Sequence, residues 1–277
     1  MARVDIFPNP TKACNFCFEK IVLPLWQEMK LLGLATGSTP TLLYALIVKA
    51  YQEGRIPVDR IRTINLDEYV GLLPSHPQSY WTFMRDNFFK WVPIDLKMTR
   101  VPFGALDFNE ELNKVCIEME LWIENYGPVT LWILGIGENG HVGFCEPGTP
   151  LDSRYHITQL VEITRRANKR FFNDDISQVP KLAITAGIGT IRDALHLLQM
   201  AFGIQKEWAV SASLLGHKSV WIPSSLLQDH QDWRLVVDQE AGAGVIRFIE
   251  KNKIEPDSNG FYEVPSEAGI THQVKIH

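Results

Sequence analysis

The stretch Leu134-Gly135-Ile136-Gly137-Glu138-Asn139-Gly140-His141-Val142-Gly143-Phe144-Cys145-Glu146-Pro147 decides the fold class. An apolar, β-branched run from Val129 to Leu134 leads straight into it. Such a run reads as a buried strand that stops at a loop glycine permits. Glycines at 135, 137, 140 and 143 allow tight turns and close approach of a ligand. The strand's carboxyl end therefore presents Glu138, Asn139, His141 and Glu146 on one loop. In open α/β sheets that edge is where ligands bind. G-I-G-E-N-G is not a dinucleotide fingerprint. Its third glycine comes one residue early, and Pro147, Gly148 and Pro150 stand where the helix should begin.

Upstream, the apolar run Leu31 to Thr36 is another buried strand, and a helix fits Thr41 to Gln52 with Pro40 near its first turn. Gly37, Ser38 and Thr39 lie between them. Free N–H groups and hydroxyls at a helix start favour an anion, although an ordinary Ser/Thr cap has the same composition. The Gly-Lys-Ser/Thr ending of a Walker A loop is absent. A strand from Ile61 to Leu66 ends at Asp67-Glu68, two adjacent acids that could supply a base or simply a turn or cap. Spacing does not choose between them. The aromatic stripe over Gln78 to Lys90 reads as core.

Downstream of a helix over Phe108 to Tyr126 and the central loop comes a basic cluster: Arg154, Arg165, Arg166, Lys169 and Arg170. In an acidic chain it suggests an anionic partner, with several of the five on a solvated helix face. Lys181 to Ala186 and Leu197 to Phe202 read as strands. Lys206 sits between the second of these and a helix over Glu207 to Leu215, a junction suited to phosphate. Ser219 to Ile222 and Trp233 to Val237 could close the sheet, and Glu240 to Lys251 is a last helix. Near the start, Ile6 and Phe7 read as edge-strand residues. A helical pattern from Thr11, its candidate N-cap, runs to about Lys30 with a kink or early end at Pro24.

Strands alternating with helices imply an α/β/α sandwich with a mainly parallel sheet. The loops at 36–40, 67–69, 135–146 and 203–206 all follow strands, so they gather at one edge. Residues 1–252 read as a single domain and 253–277 as a surface extension.

The chain has 277 residues, 45% hydrophobic, enough for one large core. Its net charge of -5 and pI near 5.9 argue against a nucleic-acid footprint. The four cysteines do not form a disulfide framework, and Cys14-x-x-Cys17 has no second pair to make a metal site. No membrane-span-length apolar run or secretory leader is evident, so a cytoplasmic setting is expected.

With these motifs in hand, the sequence resembles the glucosamine-6-phosphate deaminase (isomerase) family. The resemblance runs from about Ile6 to about Ile249. It rests on A-T-G-S-T-P at 35–40, N-L-D-E-Y-V-G-L at 65–72, H-P-Q-S-Y at 76–80, G-H-V-G-F-C-E-P at 140–147, R-A-N-K-R-F-F at 166–172 and G-I-Q-K at 203–206. The related 6-phosphogluconolactonases share a Gly-His loop but lack the Glu-Pro ending and the D-E-Y-V-G run.

The resemblance implies a Rossmann-like three-layer fold and an aldosamine 6-phosphate as partner, converted to a ketose 6-phosphate and ammonia. That places the expected enzyme among hydrolases, deaminases and isomerases. Glucosamine 6-phosphate is the leading substrate, galactosamine 6-phosphate the alternative, and a non-catalytic sugar-phosphate sensor the third reading. Asp67 would move the proton between C2 and C1, and His141 would assist ring opening with Glu146 as its carboxylate partner. Gly37, Ser38, Thr39, Arg170 and Lys206 would hold the phosphate, with residues 160–185 a mobile lid carrying Arg170. The chemistry asks for no metal and no organic cofactor; no membrane partner is expected, and a homo-oligomer is compatible.

Two departures stand out. Deaminases of the family usually carry Asp two residues before the histidine, where this chain has Asn139, and some relatives assigned to galactosamine 6-phosphate carry Asn. An uncharged partner predicts a lower His141 pKa. Allosteric members bind N-acetylglucosamine 6-phosphate through basic residues after the Glu-Pro motif. The matching positions here are His156 and Thr158, which predicts no activation by that route.

Overall fold

The computed structural model describes residues 2–106 and 109–277. Among these residues twelve strands occur in chain order: β1 (Ala2–Phe7), β2 (Leu31–Leu34), β3 (Arg62–Asn65), β4 (Asp67–Tyr69), β5 (Thr99–Arg100), β6 (Leu131–Leu134), β7 (His156–Gln159), β8 (Leu182–Thr185), β9 (His196–Ala201), β10 (Trp233–Asp238), β11 (Phe261–Pro265) and β12 (Thr271–Ile276). Nine form the main sheet in the order β11-β12-β1-β10-β9-β6-β2-β3-β5, and β4-β8-β7 form a small second sheet. The main sheet is parallel except for β11 against β12.

The core explains the layering. Every residue of β2 (LLGL) and β6 (LWIL) is buried, as a parallel sheet covered on both faces demands. Alternation splits them. Leu31, Trp132 and Leu134 pack with the helices Asn109–Tyr126, Glu207–Leu215 and Ala243–Lys251 on one face. Leu32, Leu34, Leu131 and Ile133 pack with Pro10–Cys17, Thr41–Gln52 and Tyr80–Asn87 on the other. Gly33 is required between them: a Cβ there would lie 1.9 Å from a ring carbon of Trp132.

The strand order also locates a crevice. From β2 the chain steps to β3 on one side, whereas from β6 it steps outward through β9 and β10 on the other. The reversal falls between neighbours β2 and β6. In open parallel sheets, loops leaving such a pair diverge and leave room for a ligand. The loops that follow are 35–40 and 135–146.

Several expectations need correction. β1 is an interior strand, between β10 and β12, because Val4 and Ile6 are fully buried. The first helix begins at Pro10 with Asn9 as its cap, its Oδ1 accepting the Lys12 N–H at 3.0 Å. It loosens into a wide turn at Phe18–Val22 before Pro24, whose ring a regular helix would not accommodate. Lys181 to Ala186 contributes β8, antiparallel in the second sheet. Ser219 to Ile222 makes one antiparallel bridge, not a strand. Residues 253–277 are no surface extension: β11 and β12 join the main sheet with Val264, His272 and Val274 buried. Phe108, the expected helix start, lies outside the described residues.

Candidate active site

A cavity of about 540 Å³ opens at the β2/β6 crevice. Its lining includes Gly37, Ser38 and Thr39, Asp67, Glu138, His141, Arg170 and Lys206.

The second sheet decides which acid serves the cavity. After β3 the chain bends at Leu66, whose N–H donates to Leu34 O (3.0 Å) and whose carbonyl accepts from Ala186 N–H (2.7 Å). Side chains alternate along β4, so Asp67 and Tyr69 line the cavity and Glu68 does not. Glu68 instead accepts the backbone N–H groups of Tyr69, Tyr80 and Trp81 at 2.8–3.1 Å, at the start of the helix Tyr80–Asn87. Burial still pushes it up to about 7 against those donors. Asp67 is buried too, and burial with the adjacent Glu68 raises its pKa well above the carboxylate range. Gly143, at φ 58°, passes beside it: a Cβ there would come within 3.3 Å of Asp67 Oδ2 and 3.0 Å of Thr185 Oγ1.

Asn139, not Glu146, is the immediate partner of His141. Asn139 Oδ1 lies 2.7 Å from His141 Nδ1 and also accepts the His141 backbone N–H at 3.2 Å. Asn139 Nδ2 donates to Glu146 Oε2 at 3.0 Å. Glu146 Oε2 is 3.7 Å from His141 Nδ1 and acts through the amide between them. The amide orientation follows from its neighbours: flipped, it would set NH2 against a backbone N–H and its carbonyl against a carboxylate. Thr164, unforeseen in the sequence, places Oγ1 3.4 Å from His141 Nδ1 and hydrogen-bonds Glu146. Val161 N–H donates to the other Glu146 oxygen at 3.3 Å. Burial, reinforced by the Lys206 ammonium, lowers the imidazole to about 3. His141 is therefore neutral, with its proton on Nδ1 and a free lone pair on Nε2.

Cations gather at the other end. Burial lowers Lys206, Glu138 opposes that, and Arg170 lowers it further. These two cations repel each other and line the same cavity as the hydroxyl-bearing residues Ser38 and Thr39, an arrangement whose charge an anion would satisfy. The remaining basic residues are otherwise engaged or outside the lining. Arg154 pairs with Glu120 and Asp193, Arg166 with Glu162, and Arg165 donates to the Ile176 and Val179 carbonyls. Lys169 is exposed and absent from the cavity lining. The aromatic stripe divides: Phe88 and Phe89 are core, whereas Tyr80 and Phe83 reach the cavity. Tyr69, Asn168, Phe172 and Gln205 also line it, and nothing in their spacing marked them. Cys145 is buried, its thiol donating to Ala186 O at 3.0 Å and its pKa raised by burial, so it is no reactive thiolate.

A family model described as glucosamine-6-phosphate isomerases/6-phosphogluconolactonase matches residues 27–236. The chain belongs to this family. It is 41% identical over 212 residues to the glucosamine-6-phosphate deaminase of Thermoanaerobacter sp. (strain X514), covering 76% of this chain and 82% of the relative. The glucosamine-6-phosphate deaminase of Staphylococcus aureus (strain JH9) is 41% identical over 227 residues, 80% of this chain and 88% of that one. A solved monomeric glucosamine-6-phosphate deaminase is 35% identical with a TM-score of 0.80, over 87% of this chain and 99% of that chain. A 6-phosphogluconolactonase from Thermotoga maritima shares the fold, at a TM-score of 0.66 and 20% identity over 86% of this chain and all of that one. The expectation of a hydrolase is corrected: the family description names isomerases and the 41% relatives are deaminases. One family structure is monomeric, so membership brings no homo-oligomer with it. Among the described residues no helix is long and apolar enough to cross a membrane.

Proposed function

We propose that this chain is an amino-sugar phosphate isomerase/deaminase that converts glucosamine 6-phosphate to fructose 6-phosphate and ammonia. One observation carries the reading: a neutral His141 and the buried Asp67 line the same cavity as the Lys206/Arg170 anion site. The 41% relatives named glucosamine-6-phosphate deaminase supply the substrate.

Gly37, Ser38, Thr39, Arg170 and Lys206 hold the phosphate, and phosphate binding satisfies the repelling cations. His141 Nε2 accepts the O1 proton as the ring opens and returns it at O5. Asp67 takes the C2 proton and delivers it to C1; water then adds to the C2 imine so formed, and the C–N bond breaks to release ammonia and leave the ketone. One carboxylate suffices because the two carbons are adjacent, and its raised pKa makes it a stronger base than an exposed aspartate. Asn139 and Glu146 keep the proton on Nδ1. Residues 160–171, part of the expected lid, supply Thr164, Asn168 and Arg170 to the cavity. Galactosamine 6-phosphate is the second reading, favoured by Asn139.

The test is ammonia release from both epimers, with Asp67→Asn as control. Turnover of glucosamine 6-phosphate that falls by about 10²–10⁴-fold in the control supports the proposal. Turnover of the galactosamine epimer alone moves the assignment to it. Binding of both without turnover makes the protein a sugar-phosphate sensor.

A further inference from the structure

The helix Glu162–Asn168 joins two parts of the cavity that lie far apart in chemistry. Just before its start, Val161 N–H donates to Glu146 Oε1 at 3.3 Å. Within its first turn, Thr164 is buried, its hydroxyl hydrogen-bonds Glu146, and Oγ1 lies 3.4 Å from His141 Nδ1. Past its end, the turn Lys169–Phe171 carries Arg170 to the anion site. The loop beyond is tied back on the helix by Arg165, which donates to the Ile176 and Val179 carbonyls at 2.7 and 3.1 Å. The unit is therefore stiff, with the phosphate grip at one end and the acid–base residues at the other.

We infer that Thr164 is a positioning residue: its hydroxyl donates to Glu146 while its oxygen faces the Nδ1–H of His141, so seating this helix and orienting the imidazole are a single event. The chemistry of one hydroxyl permits both contacts, since it offers one donor and two lone pairs. Valine fills the same space and offers neither. Serine keeps both. A hydrocarbon there leaves a buried carboxylate oxygen short of a donor and gives the ring freedom to tilt, whereas the phosphate contacts of Arg170 and Lys206 are untouched.

The inference rests on the deaminase reading, and its test separates the two. Steady-state kinetics with glucosamine 6-phosphate would compare wild type, Thr164→Val and Thr164→Ser, with inorganic phosphate as a competitive inhibitor to report the anion site. The expected result is a kcat about tenfold lower in Thr164→Val, the worth of one charged hydrogen bond. KM and the phosphate inhibition constant stay within about twofold, and Thr164→Ser recovers most of the loss. An unchanged kcat in Thr164→Val overturns the inference. So does an equal loss in both variants, or a rise in KM and in the phosphate constant that matches the fall in kcat: each makes Thr164 a packing residue. A wild-type protein silent toward both amino-sugar phosphates removes the deaminase reading, and this inference with it.

Discussion

Two oxygens, Asn139 Oδ1 and Thr164 Oγ1, face Nδ1 of His141, so that nitrogen keeps the proton and Nε2 is the basic one. A neutral amide in this position serves the tautomer as a carboxylate would, without stabilising the imidazolium. With the ring at about 3, protonation of His141 does not limit activity near neutrality. With Asp67 as the proposed base, activity is expected to fall as its base form is depleted at low pH, from a pKa that burial has raised. Asn139→Asp puts a charge beside Nδ1 and is expected to raise the His141 pKa by about 1–3 units. With Asp67 still limiting at low pH, the raised imidazole is read directly by an NMR titration of His141 in Asn139→Asp against wild type. A His141 titration superimposable on wild type would show that position 139 and the imidazole are not coupled.

The elements around the cavity are tied by caps and close passages. Ser79 caps the helix Tyr80–Asn87 by accepting the Thr82 N–H at 3.1 Å, and donates to Pro74 O at 2.8 Å. Removing it by Ser79→Ala is expected to cost about 1 kcal/mol in urea unfolding. Since the same helix start supplies two of the N–H donors of Glu68, this loss is structural and leaves the Asp67 chemistry in place. Gly143→Ala acts differently. The left-handed backbone costs about 1–2 kcal/mol for an L side chain, and the new methyl crowds Asp67 Oδ2 and Thr185 Oγ1. It should lower both Tm and kcat, and a variant with normal kcat would place Asp67 outside the reaction.

At the scale of the molecule, residues 261–276 continue the main sheet past β1. Val274 is fully buried and aligned with Val4. Val274→Ala should destabilise by about 2 kcal/mol, from two lost methyl groups and the space they leave. Deleting residues 254–277 exposes the β1 edge and should lower Tm much further or send the protein into aggregates; a deletion variant as stable as the full chain would make the hairpin an accessory. His156 and Thr158 lie in β7, with His156 Nδ1 2.7 Å from Arg154 O. Adding N-acetylglucosamine 6-phosphate is expected to leave the rate unchanged, and a clear rise would disprove this.

Local pattern was enough for much of this protein. Apolar runs too short for helices and ended by glycine could only be buried strands, and β2, β6 and β9 follow them closely. Alternating strands and helices dictated a parallel sheet, whose carboxyl edge collects the loops with Gly37–Thr39, Asp67, His141 and Lys206. What spacing could not decide was direction and company. Asp67 differs from Glu68 only because β4 pairs with β8 and turns alternate side chains to opposite faces. Asn139 comes between His141 and Glu146 because of one amide's orientation within a folded loop. The polar-looking C-terminal segment becomes two sheet strands because β1 has an edge to fill. Thr164 reaches His141 across 23 positions of chain. Each of these depends on contacts between segments distant in sequence, which no local periodicity records.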